Sequence, residues 1–122
     1  KSGTTKVLVN VKRGKKTYKL SMKVKVISFV SPIQSAKVGK KNVKKAITNT
    51  ADALLKKNCS GKLTIKMKKG WTITEIHQFG ATGKSMKLKN NKKVNTSKGS
   101  IFITVKNKKA NQIELLSLAA GY

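Results

Sequence analysis

Acidic residues are almost missing from this chain: Asp52, Glu75 and Glu114 are the only three in 122 residues. Paired-carboxylate catalysis needs two acids set a few ångströms apart, and three scattered acids leave little room for it. Metal binding meets the same shortage of ligands. The single cysteine, Cys59, excludes an intrachain disulfide and a cysteine-based zinc site. Arginine is as scarce, Arg13 being the only one. That scarcity argues against sequence-specific nucleic-acid readout, which leans on the bidentate guanidinium. Aromatics make up 5% and are not interleaved with the basic clusters as single-strand binders require. The longest apolar-leaning stretch, 113–120, is too short to span a bilayer. The sequence opens on Lys1 with no methionine and no signal-like segment, and it reads as a processed or excised piece.

What is present is lysine. The net charge is +26, so the chain repels itself unless counter-ions or an anionic partner offset the repulsion. Lysine pairs stand at Lys15-Lys16, Lys40-Lys41, Lys44-Lys45, Lys56-Lys57, Lys68-Lys69, Lys92-Lys93 and Lys108-Lys109. The expected anion-binding surface is Lys15, Lys16, Lys40, Lys41, Lys44, Lys45, Lys68, Lys69, Lys92 and Lys93. Lysines fall on every element, which reads as a uniform coat rather than one groove. Such a coat either binds polyanions or only solubilises the chain. It also keeps sheet edges from pairing with neighbours.

At 38% apolar, the chain is long enough to bury a core, and its apolar residues are patterned. Val7, Val9 and Val11 share one face of a strand, and Arg13-Gly14-Lys15-Lys16 forms a turn. Tyr18, Leu20, Met22, Val24 and Val26 then alternate with polar residues, mostly lysines. Period two over nine residues predicts a hairpin with one apolar and one lysine face. Residues 27–32 break the pattern, and Pro32, the only proline, ends the strand or bends the chain from one sheet to another. Further strands are predicted around Leu63–Met67, Trp71–Ile76, Met86–Leu88, Ile101–Val105 and Ile113–Leu118. The alternation slips between Ile73 and Ile76, as a β-bulge would cause. The segment 43–58 admits two readings. Val43, Ile47 and Leu54 fall at helical spacing, whereas Thr48, Asn49 and Thr50 favour a loop followed by an edge strand. The fold class is therefore all-β: an Ig-like β-sandwich of seven or eight short antiparallel strands, with a short helix near 43–57 as the open alternative.

The run Gly80-Ala81-Thr82-Gly83-Lys84-Ser85 shares the tail of a phosphate-binding loop. The first glycine of that motif is replaced by Gln78, and no helix is predicted to follow, so a hairpin loop is the better reading. His77 and Cys59 could act as base and nucleophile only if the fold brought them together. Trp71 is either a stacking handle or a core residue between the sheets, and the core is favoured. Tyr18 and Phe102 read as core or near-core, and the three acids as partners of lysines.

The stretches Gly3-Thr4-Thr5-Lys6-Val7-Leu8-Val9-Asn10-Val11, Gly14-Lys15-Lys16-Thr17-Tyr18-Lys19-Leu20 and Lys23-Val24-Lys25-Val26 resemble the closing hairpin of bacterial immunoglobulin-like repeats of the invasin/intimin-related group. Gly61-Lys62-Leu63-Thr64-Ile65-Lys66 and Lys69-Gly70-Trp71-Thr72-Ile73 resemble lysine-rich Ig-like segments of Gram-positive surface proteins. Together these cover about a third of the chain. The resemblance implies a β-sandwich in an extracellular multidomain protein, serving adhesion or as a stalk, and carries over no functional residues. Here the hairpin stands first rather than last. It is the remnant of a preceding repeat or the opening of a single domain spanning 1–122.

The expectation is thus a non-catalytic, secreted or cell-surface module for adhesion or spacing, with no cofactor and no small-molecule substrate. Its expected partners are an anionic cell-wall polymer or glycan and neighbouring domains of a larger surface protein. Electrostatic nucleic-acid binding is the alternative.

Overall fold

A computed structural model describes residues 2–50 and 53–121. The chain is all-β, and it divides into two compact units, Lys1–Val30 and Ser31–Tyr122. The boundary falls within the stretch where the alternation stops, next to Pro32.

The first unit is a two-stranded antiparallel ribbon of β1 (Gly3–Arg13) and β2 (Lys16–Val26). Gly14 and Lys15 make the two-residue turn, and Gly14 has φ +60°. A positive φ at the first central position alone is what a type II′ hairpin turn asks of glycine. The pairing runs without a slip from Arg13↔Lys16 to Gly3↔Val26. Val7, Val9 and Val11 therefore lie opposite Met22, Leu20 and Tyr18 on one face, while Lys6, Lys12, Lys19, Lys23 and Lys25 occupy the other.

The second unit holds eight strands in two four-stranded sheets. One sheet is built from β3 (Ile33–Val38), β4 (Lys41–Asn42), β5 (Ser60–Met67) and β8 (Lys93–Asn95), in the order β4-β3-β5-β8. The other is built from β6 (Trp71–Phe79), β7 (Ser85–Leu88), β9 (Ser100–Asn107) and β10 (Gln112–Leu118), in the order β10-β9-β6-β7. Every pairing between these strands is antiparallel. Inward residues of the first sheet (Ile33, Ala36, Val38, Leu63, Ile65, Val94) and of the second (Ile76, Ile101, Ile103, Val105, Leu116, Leu118) are all 5% exposed or less. Alternation of these residues with lysine, threonine and serine is what drives the two faces together, at roughly 1.5–3 kcal/mol per buried aliphatic side chain.

The expected slip is present as a register shift between Ile73 and Glu75. Thr74 is the extra residue, and its hydroxyl donates to the Thr104 carbonyl at 3.1 Å. This keeps both Ile73 and Ile76 on the inward side. A second shift between Ile33 and Ser35 does the same for Ile33 and Ala36.

No α-helix forms in the described part of 43–57. A single 3₁₀ turn, Lys44–Ala46, is the only helical element there, and Ala51 and Asp52 lie outside the described residues. The physical reason is competition for backbone groups. The Thr48 hydroxyl donates to the Thr50 carbonyl at 2.9 Å, a local bond that replaces a helical one. The backbone of Thr48 exchanges hydrogen bonds with Ser117, and Leu55 N–H donates to the Ala119 carbonyl at 2.8 Å. The described part of the segment touches β10 and the residues after it only through the isolated bridges Thr48↔Ser117 and Leu55↔Ala120, so neither the helix nor the edge strand forms there.

Candidate functional site: a lysine-ringed cleft

Every described lysine except the half-buried Lys106 is exposed. Among the described residues none of them pairs with a carboxylate, and the only basic side chain within 4.0 Å of one is His77, 3.6 Å from Glu75. Glu114 instead accepts from the Gln112 amide at 2.9 Å. The expectation that the acids pair with lysines therefore fails for Glu75 and Glu114, and Asp52 lies outside the described residues. Among the described residues, then, the fold sets no carboxylate against the lysine charge.

Because 43–58 leaves β4 through a tight 3₁₀ turn and returns past Leu55, it sets two lysine pairs face to face. Lys41, Lys44 and Lys45 on one side and Lys56 and Lys57 on the other rim a cleft of about 740 Å³. Its floor is apolar, made by Ala46, Ala53, Leu54 and Leu55. Leu54 is 51% exposed, an unusual position for a leucine ringed by charge. The Lys41 ammonium donates to the Lys57 carbonyl at 3.0 Å, which ties the two rims together. Lys40 sits in the turn just before Lys41. Gly39 N–H donates to the Lys62 carbonyl at 2.9 Å, and Lys62 stands directly opposite Lys93. Lys40, Lys62, Lys92 and Lys93 thus extend the basic surface along the same end of the first sheet.

The remaining expected residues are elsewhere. Lys68 and Lys69 occupy the β5–β6 turn, and the Trp71↔Asn107 pairing puts Lys108 and Lys109 at the same sheet end as that turn. Lys15 and Lys16 lie at the tip of the β1–β2 ribbon, in the other unit. Lys56 and Lys57, outside the expected anion-binding set, line the same cleft as Lys41, Lys44 and Lys45. Sequence spacing could not show this, since the meeting of 41–45 with 56–57 depends on where the intervening chain goes.

The other constellations resolve simply. Residues 80–84 form the β6–β7 hairpin loop, closed by Gly80 N–H donating to the Lys84 carbonyl at 3.2 Å, and β7 opens at Ser85 where a phosphate loop needs a helix. Cys59 is held beside Thr96, next to β5, whereas His77 lies on β6 in the opposite sheet. His77 contacts Ser85 through Nδ1 at 3.1 Å and Glu75 through Nε2 at 3.6 Å on the outer sheet face. That row carries the residue types of a nucleophile triad, but it is exposed and lies on an open strand surface with its Glu contact beyond hydrogen-bond length. Trp71 takes the inward parity at the start of β6 but is only half-buried. Tyr18 is 50% exposed on the ribbon, not in a core. Phe102 packs edge-on against Phe79 with ring centroids 5.4 Å apart, on the outer face. Among the described residues no group of three or more His, Cys, Asp or Glu side chains gathers that could hold a metal ion. Among the described residues no helix is long and apolar enough to cross a membrane. Compared with known proteins, the chain matches no family model, no curated protein and no solved structure.

Proposed function

We propose that this chain is a non-catalytic module of a secreted or cell-surface protein that adheres through lysine to an anionic cell-wall polymer or glycan. The observation that carries the reading is the group of five lysines around one cleft, Lys41, Lys44, Lys45, Lys56 and Lys57, with no carboxylate in contact among the described residues. Like charges brought this close raise the local potential, and an anionic chain laid across them relieves it while releasing its own counter-ions. The apolar floor suits the carbon skeleton of a polyol or sugar repeat. Lysine serves here as a point charge, without the planar fork that guanine recognition uses. The resemblance of 3–26 and 61–73 to surface-protein repeats supports the same compartment.

Binding of residues 1–122 to a teichoic-type polyphosphate, a sulfated glycan and duplex DNA, each across a salt series, tests the reading. Preference for the polyphosphate or the glycan, fading as salt rises, is the expected result. Sequence-dependent DNA binding that survives about 0.2 M salt would sink it in favour of nucleic-acid recognition. No binding to any polyanion would leave a spacer and remove the adhesive part.

A further inference from the structure

The chain is anchored to β10 and its continuation at Thr48 and again at Leu55. Ser117 N–H donates to the Thr48 carbonyl, and Leu55 N–H to the Ala119 carbonyl, both at 2.8 Å. Beside these anchors a cavity of about 300 Å³ opens onto the second sheet. Strand parity decides what faces it. Ile101, Ile103, Leu116 and Leu118 are buried in the sandwich, so Phe102, Leu115 and Ser117 take the outer side. Phe102 and Leu115, with Leu54 from the anchored segment, form the apolar part of the lining. Asn49, Ser100 and Ser117 add amide and hydroxyl groups. Phe79 braces the Phe102 ring edge-on, with centroids 5.4 Å apart.

Two features set this cavity against the lysine cleft. Ala53 and Leu54 line both, so the two adjoin across one apolar wall. Five lysines rim the cleft, yet among the described residues no ionisable side chain lines the cavity. In a chain of net charge +26, a recess with neutral walls is chemically distinct. A phosphate or carboxylate finds counter-charge in the cleft and none in the cavity. A wholly apolar occupant would leave the polar groups of Asn49, Ser100 and Ser117 unmatched. A neutral sugar ring satisfies both parts. Its C–H faces lie on an aromatic ring and aliphatic side chains, and its hydroxyls meet the amide and hydroxyl groups. The volume stands at the lower end of small-ligand sites, roughly 300–1,000 Å³, which suits one ring rather than several.

We propose that the cavity lined by Phe102, Leu54 and Leu115 is a subsite for one neutral pyranose, carried by the same polymer whose anionic groups lie in the lysine cleft. The preferred polymer then bears both charge and uncharged sugar, and a bare polyanion fills only part of the site. The proposal rests on the adhesive reading for its anionic part, and its sugar part is tested alone as well.

Residues 1–122 are titrated with poly(glycerol phosphate), bare or bearing glucosyl, galactosyl or N-acetylglucosaminyl branches, at one salt concentration. At least one branched polymer should bind about tenfold more tightly than the bare one. Phe102→Ala should remove that gain, and so should Leu115→Gln, a change at a position 56% exposed that the fold tolerates. Ile113→Gln, on the same side of β10 but outside the cavity, should keep it. All three variants should bind the bare polymer within about twofold of the parent chain. Equal affinity for bare and branched polymers overturns the subsite and leaves the cleft reading standing. A gain that survives both Phe102→Ala and Leu115→Gln overturns the subsite too. If no polymer binds, the adhesive reading falls, and the methyl glycosides of the same three sugars decide the subsite by amide NMR. Shifts gathered at Asn49, Ser100, Phe102 and Ser117 uphold a sugar site, and their absence with all three glycosides overturns it.

Discussion

The side-chain amide of Gln78, on β6, donates to the carbonyl of Asn95, on β8, at 2.8 Å and so bonds one sheet of the sandwich to the other. The same nitrogen donates to the Gly99 carbonyl at 2.9 Å. Gln78 is 3% exposed and points between Ile101 and Met86 in the register, at a position that otherwise calls for an aliphatic residue. A buried amide is tolerated because its donors are matched. Gln78→Met keeps the volume but leaves two carbonyls without their donor. The expected loss is about 2 kcal/mol in urea unfolding, and an unchanged midpoint would show that water replaces the amide.

Asn90 supplies a missing strand with its side chain. Its Oδ1 accepts from Ile65 N–H and its Nδ2 donates to the Ile65 carbonyl, both at 2.9 Å. These are the two bonds a paired strand residue would make, placed just beyond the three residue pairs of β5 with β8. Asn90→Leu offers neither bond. It should cost about 1–2 kcal/mol and speed exchange of the Ile65 amide, while amides of β9, in the other sheet, keep their rates. Uniform acceleration across both sheets would contradict that local role.

How much of this was legible beforehand divides by sequence separation. Period-two alternation announced β1, β2, β5, β9 and β10, because each strand has one apolar side and one solvent side. The Thr74 bulge was legible for the same reason, as a break in a strict count. The path of 43–58 was not: its partners Ser117 and Ala119 lie more than sixty residues away, and Ala46, Leu54 and Leu55 fit a helix as well as an edge. The cleft inherits that ambiguity, so the spacing of the lysine pairs did not show that 41–45 and 56–57 line one cleft. Trp71 and Tyr18 read as core from size alone, yet strand ends and an uncovered ribbon leave them part-exposed.

Gly61 separates a glycine that must be one from a glycine that is merely convenient. Its φ is +151°, and a Cβ there would stand 2.8 Å from both the Cα and the N of Gly39. The neighbour is backbone, locked by Gly39 N–H donating to the Lys62 carbonyl at 2.9 Å, so it has little freedom to withdraw. Gly83 also has a positive φ, +73°, but a Cβ would meet nothing within 4 Å. Gly83→Ala should therefore cost about 1 kcal/mol from backbone strain, and Gly61→Ala about 3 kcal/mol or more from strain plus collision. Thermal unfolding of the two variants side by side checks this, and equal losses would remove the close approach as the cause.

The cleft makes a prediction in which stability and binding move in opposite directions. Lys44 and Lys45 face Lys56 and Lys57 across it, and no described carboxylate softens the repulsion. Two unit charges about 10 Å apart in water repel by roughly 0.4 kcal/mol before salt screening, so several such pairs add up at low ionic strength. Replacing Lys44 and Lys45 by glutamine should raise the melting temperature by about 1–3 °C in dilute buffer, and the gain should vanish near 0.5 M salt. The same variant should bind polyphosphate less tightly, with the slope of log K against log salt shallower by roughly one to two. Lys15→Gln with Lys16→Gln, at the ribbon tip, removes as much charge without touching the cleft. If that control weakens binding as strongly as the cleft variant does, net charge alone governs adhesion. If it leaves the affinity within about twofold while the cleft variant loses tenfold or more, the geometry of the five lysines is what holds the polymer.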